Sequence, residues 1–113
     1  MTFDDVRRFL LALPGVEETT SYGTPSLKLG RKMLTRLRED GDTLVLPDVE
    51  SDERAMLIEA EPAVFYVTDH YRGWPMVLAR LSAAEPAQVE PLLMRRWRAV
   101  APKRLLAAYD AER

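Results

Sequence analysis

Phe3, Val6, Phe9, Leu10 and Leu13 recur at spacings of three and four. That period puts them on one face of a helix. Thr2 stands three residues before Asp5, the form of a capping box, and Pro14–Gly15 breaks the pattern. A first helix is therefore predicted over roughly residues 3–13.

The period then changes to two. Leu27 and Leu29 flank Lys28, and Met33, Thr35 and Leu37 alternate with Lys32, Leu34, Arg36 and Arg38. Gly30–Arg31 suits a two-residue hairpin turn with glycine first. "EDGD" (Glu39–Asp42) suits a second turn, and "TLVL" (Thr43–Leu46) a third strand closed by Pro47. Ser51 has the chemistry of a helix cap before "DERAMLIEAE", which Pro62 terminates. "AVFYVT" and "MVLARL" read as a fourth and a fifth strand. Ser82 and Glu85 have capping-box spacing before the apolar stripe Val89, Leu92, Leu93, Trp97 and Val100. Pro102 interrupts, and "KRLLAAYDAE" continues as a last helical stretch.

The predicted order is α-β-β-β-α-β-β-α, with no internal repeat, linker or low-complexity segment. It describes a single α+β domain spanning residues 1–113, in two layers. A five-stranded antiparallel sheet carries its helices on one face and leaves the other open. Strict alternation assigns Lys28, Lys32, Arg36 and Arg38 to that open face, with Tyr66 and Arg80 as further candidates. The ordinary role of such a face is solvation. The alternative is an anion- or nucleic-acid-binding surface, because residues 26–38 hold five basic groups and no acid.

Composition narrows the chemistry. The 113 residues include no cysteine and one histidine. Disulfide frameworks, thiol nucleophiles and cysteine-bound metals are excluded, and a reducing cytoplasmic setting is expected. No apolar run approaches the roughly 18 residues of a membrane span, and "MTFDDVRRF" lacks the form of a signal peptide, so no membrane association is expected. The formal charge of −2 argues against strong whole-chain attraction to polyanions. Its distribution is uneven: residues 47–71 hold one basic and seven acidic groups, and residues 72–113 eight basic and four acidic. Arg95, Arg96 and Arg98 surround Trp97. This cluster is expected to be structural, since Trp97 continues the apolar stripe and late basic residues suit the helix dipole.

The window "VTDHYRGWPMVL" (Val67–Leu78) concentrates unusual side chains. His70 is the one group that titrates near neutrality without perturbation. Catalysis would need Ser21, Ser26 or Thr68 brought to it as nucleophile. Neither a phosphate loop nor a nucleophile elbow is present, so no enzyme activity, metal or cofactor is expected. Gly73 and Pro75 suit a corner, with Tyr71 and Trp74 covering the end of the core. Aromatics and arginine at a hairpin tip also suit stacking on bases or a protein interface. The window is read as a structural corner whose tip has a binding role.

Four blocks, "LPGVEET" (Leu13–Thr19), "YGTPSLKLGRKM" (Tyr22–Met33), "VFYVTDHYRGWPMVL" (Val64–Leu78) and "WRAVAPKRLLAAY" (Trp97–Tyr109), together resemble the MmcQ/YjbR-like family of small bacterial proteins. The resemblance implies an α+β fold of the secretion-chaperone or frataxin-like kind. It also implies a double-wing DNA-binding architecture with β-hairpins as wings. On that reading Lys28, Arg31, Lys32 and Arg36 contact phosphates of double-stranded DNA, and His70, Tyr71, Arg72 and Trp74 contact it from the second hairpin. The alternative is a protein-interaction or small-ligand module that uses the open sheet face and the Asp69–Pro75 corner.

Overall fold

The computed structural model describes residues 1–112. The chain forms strands β1 (Val16–Ser21), β2 (Thr24–Leu29), β3 (Lys32–Leu37), β4 (Thr43–Pro47), β5 (Phe65–Tyr66) and β6 (Met76–Arg80). The helices are α1 (Phe3–Leu11), α2 (Ser51–Ala60), α3 (Pro86–Val100) and α4 (Lys103–Ala111). The strands make one antiparallel sheet in the order β1-β2-β3-β4-β6-β5. All four helices lie against one face. Val6, Leu10, Val89, Leu93 and Trp97 are fully withdrawn from water there, against Leu27, Leu34, Leu44 and Val77 of the sheet. The α+β class, the antiparallel meander and the helical layer agree with the sequence reading.

The sheet has six strands, not five. The unpredicted one is β1, "VEETTS", an edge strand with no apolar alternation. It is held by full pairing with β2 from Val16↔Leu29 to Ser21↔Thr24. Tyr22 and Gly23 connect the two strands at φ of 54° and 79°, the left-handed pair that a two-residue hairpin turn requires. The predicted fourth strand shrinks to Phe65–Tyr66, because the chain then leaves the sheet in successive turns. Tyr71 N donates to Thr68 O, Arg72 N to Asp69 O and Trp74 N to Tyr71 O.

Two of the helix caps differ from the sequence expectation as well. Thr2 and Asp5 cap α1 reciprocally as expected. However, Ser51 is the first residue of α2, after Glu50. Glu85, not Ser82, stands before α3, paired with Gln88. Ser82 instead donates both its N–H and its hydroxyl to the Asp42 carboxylate, at 2.8 and 2.7 Å, and so anchors the β3–β4 turn.

A bulge in β3 decides which side chains reach the open face. Leu29 pairs with Lys32 and Lys28 with Met33, but Leu27 pairs with Thr35. Leu34 is the extra residue. Directly paired residues share a face, so Lys32 goes with Leu29 on the helical side, while Met33 goes with Lys28 on the open side. Beyond the bulge Arg36 returns to the open side, paired with Ser26 and Val45. The sequence expectation that Lys32 shares a face with Arg36 is overturned by this single inserted residue.

Candidate functional site

The open face is not bare. Val45, Met76 and Leu78 are buried on it, with Met33, Tyr66 and Tyr71 packed around them. Tyr71 comes from the loop after β5, which folds back over the sheet. The result is an open groove of about 810 Å³ whose floor is mostly apolar. Met33, Val45, Pro47 and Met76 line its base. Tyr22 stands on one side at 84% exposure and Trp74 on the other at 65%.

The loop that forms one wall is locked by α2. Arg54 is buried, and its guanidinium donates to the carbonyls of Arg72 (2.9 Å), Trp74 (2.9 Å) and Met76 (3.1 Å). No carboxylate pairs with it among the described residues, so these carbonyl dipoles compensate its charge. The neighbouring strand ends are tied to α3. Arg96 donates twice to Met33 O, at 3.0 and 2.8 Å, and once to the Asp48 carboxylate at 2.9 Å. Asp48 sits at φ 64°, and its carbonyl accepts from Arg95 at 2.8 Å. These bonds hold the groove's walls on rigid elements.

Arg36 enters the groove from β3. It is 8% exposed, donates to Tyr71 Oη at 2.9 Å and lies 5.0 Å from the centre of the Tyr22 ring. Its nearest carboxylate, Glu39, is 3.6 Å away. Arg38, two residues on, stacks 5.4 Å from the Tyr71 ring and shares Glu39 at 3.9 Å. The Glu39 carboxyl is held below its ordinary range, first by its own backbone N–H and then by these two arginines.

The residues singled out in the sequence divide three ways. Arg36, His70, Tyr71 and Trp74 come together around the groove. Lys28 is half-buried on the open face opposite Glu17 and Met33, and Arg31 and Lys32 are exposed at the neighbouring turn. Arg72 is exposed and pairs with Asp69 at 3.3 Å. His70 packs its ring edge-on against Tyr71, with 4.8 Å between centroids. Among the described residues no hydrogen bond joins it to Ser21, Ser26 or Thr68; Ser26 is buried and donates to Thr35 O. Nor do three potential metal ligands converge anywhere among those residues. Gly73 has a φ outside the left-handed region and open space where a Cβ would be. The corner therefore depends on Arg54 and Pro75, not on glycine.

Of the arginines around Trp97, Arg95 and Arg98 make ties within the fold, as expected, whereas Arg96 also lines the groove. Arg95 pairs with Glu53 at 2.7 Å, Arg96 with Asp48, and Arg98 with Asp110 at 2.9 Å. Trp97 is fully buried, with its Nε1 donating to Pro14 O at 3.1 Å. Sequence reasoning missed Tyr22, Arg54 and Arg96 as parts of the site. Arg54 did leave a signal, as the lone basic residue in the acidic stretch 47–71.

Comparison with known proteins follows the same outline. The YjbR family model matches residues 11–99, a span that contains the whole groove. The chain is 32% identical to the uncharacterized protein Rv2570 of Mycobacterium tuberculosis (strain ATCC 25618 / H37Rv), over 97% of this chain and 96% of that protein. The uncharacterized protein Mb2600 of Mycobacterium bovis is equally similar over the same spans. No solved structure matches the chain.

Proposed function

Since the chain belongs to the YjbR family, whose matched span carries the groove, we propose that it is a binding module that takes a small organic ligand between Tyr22 and Trp74. One observation carries this reading. Two large aromatic side chains stand exposed on either side of an apolar floor, and the walls are locked by the buried Arg54 and the half-buried Arg96. Ligand sites are typically concave, mostly apolar and pre-formed, with a few fixed polar groups. Leaving Tyr and Trp in water is unfavourable by roughly 25 cal/mol per Å² of apolar surface, and an occupant would recover that.

The test is thermal unfolding against a set of aromatic and branched apolar fragments. Saturable stabilisation is expected from a subset, and Trp74→Ala should lose it while keeping its own fold. Stabilisation that survives Trp74→Ala would exclude the groove.

A second reading, DNA binding through the hairpins, is favoured by a separate observation. Lys28, Arg31 and Lys32 make no ion pair among the described residues. Their turn also lies at the same end of the sheet as Arg72–Pro75, as the pairings Leu29↔Lys32 and Pro47↔Met76 require. Arg36 drops out of the phosphate-contacting set because it is buried against Tyr71. This reading expects duplex affinity that falls log-linearly with salt. Lys28→Ala with Arg31→Ala should then reduce the slope by about two units. Absence of binding at low salt would remove it.

A further inference from the structure

We propose that the groove's ligand is an organic anion, an aromatic or branched apolar body bearing one carboxylate or sulfonate that sits on Arg36. This inference rests on the groove being a ligand site. The arginines that the fold draws in around the groove differ in how fully their donors are used. Arg54 is filled by three carbonyls, and Arg96 by Met33 O and the Asp48 carboxylate. Arg36 is not filled. A guanidinium has five N–H donors, yet Arg36 makes one good hydrogen bond, to Tyr71 Oη, and one long one, to Thr24 Oγ1 at 3.4 Å.

Its counter-ion is also weak. The Glu39 side chain is 61% exposed, stands 3.6 Å away and is shared with Arg38. Asp40, the next carboxylate, is occupied by Thr43 and by the N–H groups of Asp42 and Thr43. Arg38 Nε, meanwhile, is buried without an acceptor. The N–H groups of Arg36 left without a protein partner keep contact with solvent, so an anion entering the groove can reach them. A ligand oxyanion arriving along the groove would meet the free N–H groups of Arg36 and compete only with a solvated glutamate. Its apolar body would then cover Met33, Val45 and Met76.

A cationic ligand fits less well. The rings that would hold it already face arginines, Tyr22 with Arg36 and Tyr71 with Arg38, and the Asp48 carboxylate is taken by Arg96.

Two fluorescent probes separate the outcomes. 1-Anilinonaphthalene-8-sulfonate carries the anion, and N-phenyl-1-naphthylamine is its neutral counterpart. Both are titrated against the wild-type chain, Arg36→Gln, Glu39→Gln and Trp74→Ala. Trp74→Ala should weaken both probes. Arg36→Gln should weaken the sulfonate about tenfold, the effect of one charge-assisted hydrogen bond, and leave the neutral probe within about twofold. Glu39→Gln, a substitution at an exposed side chain, should tighten the sulfonate alone, and this holds even if Arg36→Gln does not fold. Equal responses of the two probes to Arg36→Gln or Glu39→Gln, with both weakened by Trp74→Ala, would overturn the anion assignment and leave a neutral-ligand groove. Binding of both probes that is indifferent to Trp74→Ala would overturn the groove reading itself.

Discussion

Tyr22 is the residue whose conformation is hardest to explain by stability. It holds φ 54° beside Gly23 at 79°, and 84% of it is exposed. A non-glycine residue in the left-handed region costs about 1–2 kcal/mol, and asparagine is the usual choice before glycine in such a turn. Tyr22→Asn should therefore leave the melting temperature unchanged or raise it, while weakening any ligand of the groove. Thermal unfolding alongside probe titration checks both halves, and a stability loss with unaltered binding would contradict the assignment. Arg54 makes the opposite case, with no exposed surface to offer. Arg54→Ala removes the donors to the carbonyls of Arg72, Trp74 and Met76 and should destabilise by roughly 2–3 kcal/mol. It should also raise amide exchange across residues 69–76, measurable by hydrogen–deuterium exchange. The charge pattern marked Arg54 as an exception but could not name its partners, because carbonyl acceptors have no sequence signature.

At the scale of elements, strong periodicity was legible and weak periodicity was not. Helix α1, the β2–β3 hairpin, β4 and β6 follow from apolar spacing and turn residues. Strand β1 does not, since "VEETTS" offers a single aliphatic residue and is defined by its pairing with β2. The bulge at Leu34 was likewise hidden. It reverses the parity of β3, replacing Lys32 with Met33 on the open face and so turning an expected basic surface into an apolar floor. Gly15 joins two elements under strain that only glycine tolerates. Its φ is 79°, and an added Cβ would lie 2.6 Å from Leu29 Cδ1 and 3.1 Å from Leu105 Cδ1. Gly15→Ala should cost roughly 1–3 kcal/mol, read by chemical denaturation. A neutral result would mean that α4 shifts freely on the sheet.

At the scale of the molecule, the charge pattern acts as a set of ties between elements. Glu18 of β1 is held below its ordinary 4.5 by the hydrogen bond from Arg7 of α1. Glu53 of α2 is held below 4.5 by the hydrogen bonds from Arg95 of α3. A carboxylate whose pKa is lowered by folding adds stability that is fully present above its unfolded value and lost as pH falls through the folded value. Stability should therefore be level above about pH 5 and fall below about pH 4.5. Glu53→Gln should make that acid limb shallower in pH-dependent thermal melts, and an unchanged limb would mean that the α2–α3 tie contributes nothing.

The groove is where these scales meet: a strained tyrosine, a bulged strand and a loop locked by α2. The most direct measurement is a ¹H–¹⁵N correlation spectrum titrated with 1-anilinonaphthalene-8-sulfonate and, separately, with a short duplex DNA. The Trp74 indole N–H and the amides of Tyr22, Met33, Arg36, Val45 and Tyr71 should shift together and saturably with the sulfonate. Shifts confined to residues 28–32 and 70–74 on adding DNA, with the groove amides unmoved by the sulfonate, would contradict the account and make the hairpins the working surface.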